Sequence, residues 1–125
     1  QAAWRPEPGR HNIWELALHA AYWKYAVRRR LTGEARSGFP LAGSNFFTRS
    51  DAGTEAEWKR DLVLLRDEHR TLRAAVAALS DQSLDRPPAG GDTLAVDLVA
   101  GIIAHDLYHA GQIQLLKRLA PRRYT

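Results

Sequence analysis

Apolar residues recur along this chain in three long stretches at helical spacing, separated by two stretches of breakers and turn formers. In the first stretch Ile13, Leu16, Ala20, Trp23, Val27 and Leu31 form one helical stripe. Asn12 with Glu15 three residues on has the pattern of a capping box, and Gly33 supplies the stop. The second stretch opens at Thr54, with Glu57 again three positions on, and its seam reads Trp58, Leu62, Leu65, His69, Leu72, Val76 and Leu79. Steps of four and three along that seam are those of a helix packed in a bundle, and they put His69 inside. Pro87–Pro88 followed by Gly90–Gly91 marks a loop. The third helix is predicted from about Leu94 to Leu119, capped by Asp92 or Thr93, with Pro121 just beyond its end. Its inward line is Leu94, Leu98, Gly101, His105, His109, Gln112, Leu116 and Leu119, all within about 40° of His105. No stretch alternates with period two, so no sheet is expected and the fold class is all-α.

The connection from Gly33 to Gly53 carries Phe39, Phe46 and Phe47. A loop that long inside a small domain is functional or locally structured. Its aromatics are expected to cover one end of the bundle, over a pocket. Three helices alone close a core poorly, whereas a fourth completes an up-down four-helix bundle. The sequence opens at Gln1 and contains no Met, so the expectation is a single helical domain over 1–125 whose first helix lies upstream.

Composition then narrows the chemistry. With no Cys among 125 residues, disulfides, Cys-ligated zinc, iron–sulfur clusters and a protein-borne thiol nucleophile are excluded. Any metal must be held by His, Asp or Glu. The 18 Lys+Arg against 14 Asp+Glu give a modest net charge of +4. The basic residues sit in small groups: Arg28–Arg30, Lys117–Arg118 and Arg122–Arg123. Each group lies near the end of a predicted helix, where cations favour the negative pole of the dipole, so nucleic acid is not an expected partner. No run approaches the ~20 apolar residues of a membrane helix and no apolar leader opens the sequence, so a cytoplasmic protein is expected.

His105 and His109 stand four apart and share a helix face, a spacing at which two imidazoles can bind one metal. The alternative is a pair of core histidines, each hydrogen-bonded to a neighbouring helix. The run His105-Asp106-Leu107-Tyr108-His109 departs from the zinc-protease pattern twice. Asp106 stands where that motif has Glu, and no His, Asp or Glu follows His109 to supply a third ligand. A third ligand must come from upstream, from His11, His19 or His69. His11, at the helix start, reads as exposed. His19 lies about 80° from the centre of its stripe, at the edge of a cleft or half in solvent. His69 reads as a ligand, a partner to a ligand, or a core residue.

The segments Asn12-Ile13-Trp14-Glu15-Leu16-Ala17-Leu18-His19 and His105-Asp106-Leu107-Tyr108-His109-Ala110-Gly111-Gln112-Ile113 resemble the two signature regions of the DinB-like superfamily. The resemblance runs from Trp4 to Leu119, and the second segment is the more specific. It implies an up-down four-helix bundle with long loops and a divalent metal held by three His, one from the second helix and two from the last. Carried over by position, these are His19, His105 and His109. His69 falls on no ligand position and is left as a core or supporting residue. The first helix of such a bundle would precede Gln1.

Three imidazoles leave a coordination position open, as catalytic sites do. Imidazole suits several metals, so zinc is the default and nickel the rival. Each ligand needs a partner for its other nitrogen. Gln112, one turn past His109, suits that role or the pocket, and Tyr108, about 60° off the inward line, also reaches toward it. Asp106 points about 100° from His105 and is expected to pair with another element. Relatives resembling this chain transfer low-molecular-weight thiols such as bacillithiol, mycothiol or glutathione. The implied function is therefore a metal-dependent thiol transferase acting on an electrophilic small molecule, with the sulfur brought by the cosubstrate. A metal-dependent hydrolase, with Asp106 or a group on the missing first helix as base, and a metal-containing stress-response module without turnover are the alternatives. A homodimer is also open.

Overall fold

In a computed structural model, which describes residues 1–36 and 38–121, the chain folds around its first long helix. That helix, α1 (Ile13–Thr32), begins where the Asn12 side chain accepts the Glu15 amide at 2.9 Å. The Glu15 carboxylate does not return the bond; it is committed to Arg5 and Arg49, so only half of the expected capping box forms. Gly33 ends the helix in the left-handed region at φ 74° and donates to the Arg29 carbonyl. From Asn12 to His19 every residue is buried. A helix covered on all sides is a central one.

Helix α2 (Glu55–Ala77) opens with the full reciprocal box of Thr54 and Glu57. A single turn, α3 (Asp81–Leu84), follows, and α4 (Ala95–Leu119) completes the all-helical set. The expected caps of α4 are not used. Leu94 holds the cap position without a side-chain bond, and the Ala95 amide instead donates to the Arg86 carbonyl at 3.0 Å. Both α2 and α4 pack chiefly on α1. Toward the end of α1, Val27, Leu72, Leu98 and Ile102 form one core cluster; toward its start, Ile13, Leu16 and Leu116 form another. The third, Trp14, Leu18 and Phe47, lies under the 33–53 connection. That connection returns to α2 through Gly53, where a Cβ would come within 2.5 Å of the Trp14 ring. Only glycine allows that approach.

Two of the expected faces are turned. On α2 the buried residues are Asp61, Glu68 and Leu72, a line rotated by about 60° from the apolar seam. His69 is therefore exposed rather than buried. The cause is ionic: Asp61 and Glu68 turn toward Arg49 and Arg28, which draws the polar line inward. The apolar residues Trp58, Leu62 and Leu65 line an open cleft of about 750 Å³ against Trp14, Ala17 and Ile113. On α4, Leu98, Ile102, His109 and Leu116 are buried while Leu94, Gly101 and Leu119 are exposed, so the inward line shifts toward Ile102. Arg29 and Arg30 close α1, and Lys117 and Arg118 close α4, as dipole considerations require. Arg122 and Arg123 lie outside the described residues. Among the described residues no helix is long and apolar enough to cross a membrane.

Candidate metal centre

Between the two core clusters that flank it, α1 presents His19 to His105 and His109 of α4. One nitrogen from each ring lies within 4.8 Å of the other two. Nε2 of His19 and Nε2 of His105 are only 2.9 Å apart. His19 and His109 are buried and His105 is half-buried.

The outer nitrogens decide what the inner ones can do. Nδ1 of His19 lies 3.0 Å from the Asn45 carbonyl oxygen, an acceptor only, so it carries the proton and leaves an Nε2 lone pair facing His105. Asn45 aims that carbonyl from a left-handed turn at φ 68°. Nδ1 of His109 donates to Gln112 Oε1 at 2.6 Å, and Gln112 Nε2 in turn donates to the Tyr108 hydroxyl at 3.3 Å. His109 therefore also keeps its Nε2 lone pair. His105 differs: its Nδ1 is buried without a partner, 3.9 Å from Asp106 Oδ1, which is likewise unpartnered. The other Asp106 oxygen receives the Lys24 ammonium from α1.

Burial pushes His19 down to about 4, against the Asn45 carbonyl, and the neighbouring imidazoles add to the depression. His105 is lowered as well, first by burial and then by His109. Both rings are thus neutral at pH 7, the state a metal requires. If His105 donated Nε2–H to His19, its Nδ1 lone pair would face the Asp106 carboxylate. A cation shared by the Nε2 atoms lets Nδ1–H turn to Asp106 and satisfies both orphaned atoms. The donor set fits a divalent ion on that ground.

The ring of Phe46 is sandwiched between His19, at 3.9 Å, and His11, at 3.8 Å, nearly parallel to both. His11 Nδ1 lies 3.0 Å from Glu15 Oε2. Glu15 also accepts two bonds from the Arg5 guanidinium and one from the Arg49 amide. Burial alone would raise its carboxyl; those donors instead hold it at about 2. Arg49 extends the network to Asp61, whose Oδ2 also accepts Trp14 Nε1–H at 2.7 Å. Beside His109 opens a cavity of about 640 Å³. Phe46, Leu16 and Leu116 line it together with His11, Tyr108 and Gln112.

The geometry brings His19, His105 and His109 together, with Gln112 and Tyr108 behind His109 and Asp106 behind His105. Asp106 pairs with another element, as its direction on the helix implies. His69 takes no part in the cluster. Sequence reasoning missed Lys24, the Arg5–Glu15–Arg49–Asp61 network and the stacked His11. Of these only His11 carried a signal, its spacing of four from Glu15.

No curated protein and no solved structure matches the chain. A family model described as the DinB superfamily matches residues 1–113, which takes in both histidine-bearing segments. The chain belongs to the DinB superfamily.

Proposed function

We propose that His19, His105 and His109 bind one divalent metal ion and that the protein uses it to transfer a low-molecular-weight thiol to an electrophilic small molecule. The observation that carries the metal is the placement of the three outer nitrogens: two are bonded away from the cluster and the third faces a free carboxylate oxygen. Neutral imidazoles with an open position favour zinc, with nickel as rival. The metal would supply Lewis acidity and lower the pKa of a thiol. The chain has no Cys, so the sulfur comes with a cosubstrate such as bacillithiol, mycothiol or glutathione. An apolar cavity beside His109 suits an electrophile with a carbon skeleton. A metal-dependent hydrolase is the second reading: Lys24 engages one Asp106 oxygen and leaves Oδ1 without a partner, as a base would need.

Elemental analysis of purified protein tests the metal, with an expected stoichiometry near one. His19→Ala, His105→Ala and His109→Ala each lose it, and His69→Ala does not. Full occupancy in the His19→Ala protein would sink the site. Tight metal without thiol conjugation would favour the module without turnover.

We also propose self-association through the outward face of α4, where Val96, Ile103, Leu107, Leu115 and Leu119 are exposed. With Ala100, Ala104 and Gly111, also exposed, between them, they form a contiguous apolar face of the kind that marks an interaction surface. Sedimentation at micromolar concentration should show a dimer that Leu107→Glu dissociates; a wild-type monomer overturns this.

A further inference from the structure

His11 and Glu15 form a pair that the metal cluster does not use. Glu15 is 3% exposed and ionised, so it can only accept, and His11 Nδ1 must donate to it. That fixes the tautomer: the His11 proton sits on Nδ1 and a lone pair sits on Nε2. Nε2 has no protein partner among the described residues, and the ring lies on the wall of the cavity beside His109, with its side chain 46% exposed. Orientation is doubly fixed. Glu15 is itself held by Arg5 and the Arg49 amide, and the His11 ring is stacked against Phe46. Because Phe46 stacks on His19 through its other face, the His11 and His19 rings are two stacking distances apart, ~7–8 Å. A small molecule in that cavity would touch both the His11 ring and His109, a member of the cluster. An imidazole with one nitrogen tied to a buried carboxylate and the other facing a cavity is the arrangement of a general base.

We propose that His11, positioned by Glu15, is the proton acceptor and donor of the cavity, a role that rests on the thiol-transfer reading above. The thiol proton passes to His11 Nε2, and the sulfur electron pair forms the new C–S bond. With an activated alkene the pair displaced onto the neighbouring carbon takes that proton back from Nε2; with a leaving group such as chloride the anion departs with the displaced pair, and the imidazolium releases its proton to water. Atoms and electrons balance, and no redox partner is needed. Glu15 stays anionic and stabilises the imidazolium formed in between. Arg5 and Arg49 are the positioning groups behind it.

Two measurements on the metal-loaded, full-length chain test this. In the first, glutathione, mycothiol and bacillithiol are each supplied with 1-chloro-2,4-dinitrobenzene to wild type, His11→Gln and His11→Phe. His11→Phe keeps a ring to stack on Phe46. Both variants are expected to retain one metal per chain and to lose about 100-fold or more in conjugation rate. A rate within threefold of wild type in His11→Phe, with metal intact, makes His11 a stacking residue and overturns the proposal. In the second, nitrogen-15 NMR of the imidazoles reads the tautomer directly. Wild-type His11 is expected as Nδ1–H, opposite to the form an unconstrained imidazole prefers, and Glu15→Gln is expected to release that bias. An Nε2–H tautomer in the wild type overturns the dyad whatever the activity. If wild type conjugates none of the three thiols, the thiol reading and this step fall together, and the NMR result separately shows whether the dyad itself exists.

Discussion

Where α1 meets α2, the amino-terminal segment and the 33–53 connection, it buries a polar network in which each acid is matched. Asp61 takes Trp14 Nε1–H and the Arg49 side chain, and Glu15 takes Arg5, His11 and the Arg49 amide. On its α4 side, α1 buries polar groups that are not matched. His19 and His105 turn two nitrogens toward one point, and His105 Nδ1 and Asp106 Oδ1 lack partners. Unmade hydrogen bonds in a buried site are costly, and beside this pair only the Nε atoms of Arg28 and Arg29 lack a partner among the buried side chains of the described residues. The first seam fixes where the 33–53 connection and the amino-terminal segment sit. The second brings three imidazoles together where they could hold a metal ion.

The largest effect expected from breaking the matched seam comes from Asp61→Ala. It strands the Trp14 indole N–H and removes the acceptor of the partly buried Arg49 side chain. A loss of about 3 kcal/mol is expected by chemical denaturation. Metal stoichiometry should be unchanged, because the network touches no member of the histidine cluster directly. Loss of metal with stability intact would mean that the two seams do not act separately.

Acid should dissect the same seam. The Glu15 carboxyl titrates at about 2 in the fold against 4.5 as its ordinary value. Between those values the unfolded chain binds more protons than the folded one, so stability falls as pH drops from 4.5 toward 2. The contribution at risk is up to about 3 kcal/mol. In the metal-free protein His19, lowered to about 4, acts with the same sign in the adjoining window from 6.5 down to about 4. Denaturation midpoints in wild type and Glu15→Gln should therefore stand apart by a constant gap above about 4.5 and converge as pH falls below it; equal slopes there would remove Glu15 from the account.

Much of this could be read from the chain. The three long helices, the Asn12 and Thr54 caps, the Gly33 stop and the His19–His105–His109 set follow from periodicity, cap chemistry and the family segments. What stayed hidden has one physical origin. Apolar periodicity locates a buried face by its hydrophobic residues, and on α2 the face toward α1 holds Asp61 and Glu68 because Arg49 and Arg28 reach them. Those arginines lie outside α2, one in an irregular connection and one on α1, where no spacing rule on α2 could find them. That is why the buried face of α2 lies about 60° from its apolar seam and His69, on that seam, is exposed. Lys24 escaped for the same reason, since its partner Asp106 is 82 residues further on.

The unmatched seam is probed most finely at Lys24 and Asp106. Removing one partner alone would strand a buried charge and confuse stability with binding. Lys24→Met combined with Asp106→Leu avoids that, because replacing a mostly buried ion pair by apolar groups is close to neutral for folding. The double variant still deletes the Asp106 carboxylate beside His105 Nδ1, the acceptor that would orient this ring when a metal is bound. Metal affinity, measured by competition with a chelating dye, should fall by about 10–100-fold while the denaturation midpoint hardly moves. If affinity is unchanged, the orphaned pair of atoms is a packing accident. The α4 seam would then differ from the α2 seam only in its three imidazoles.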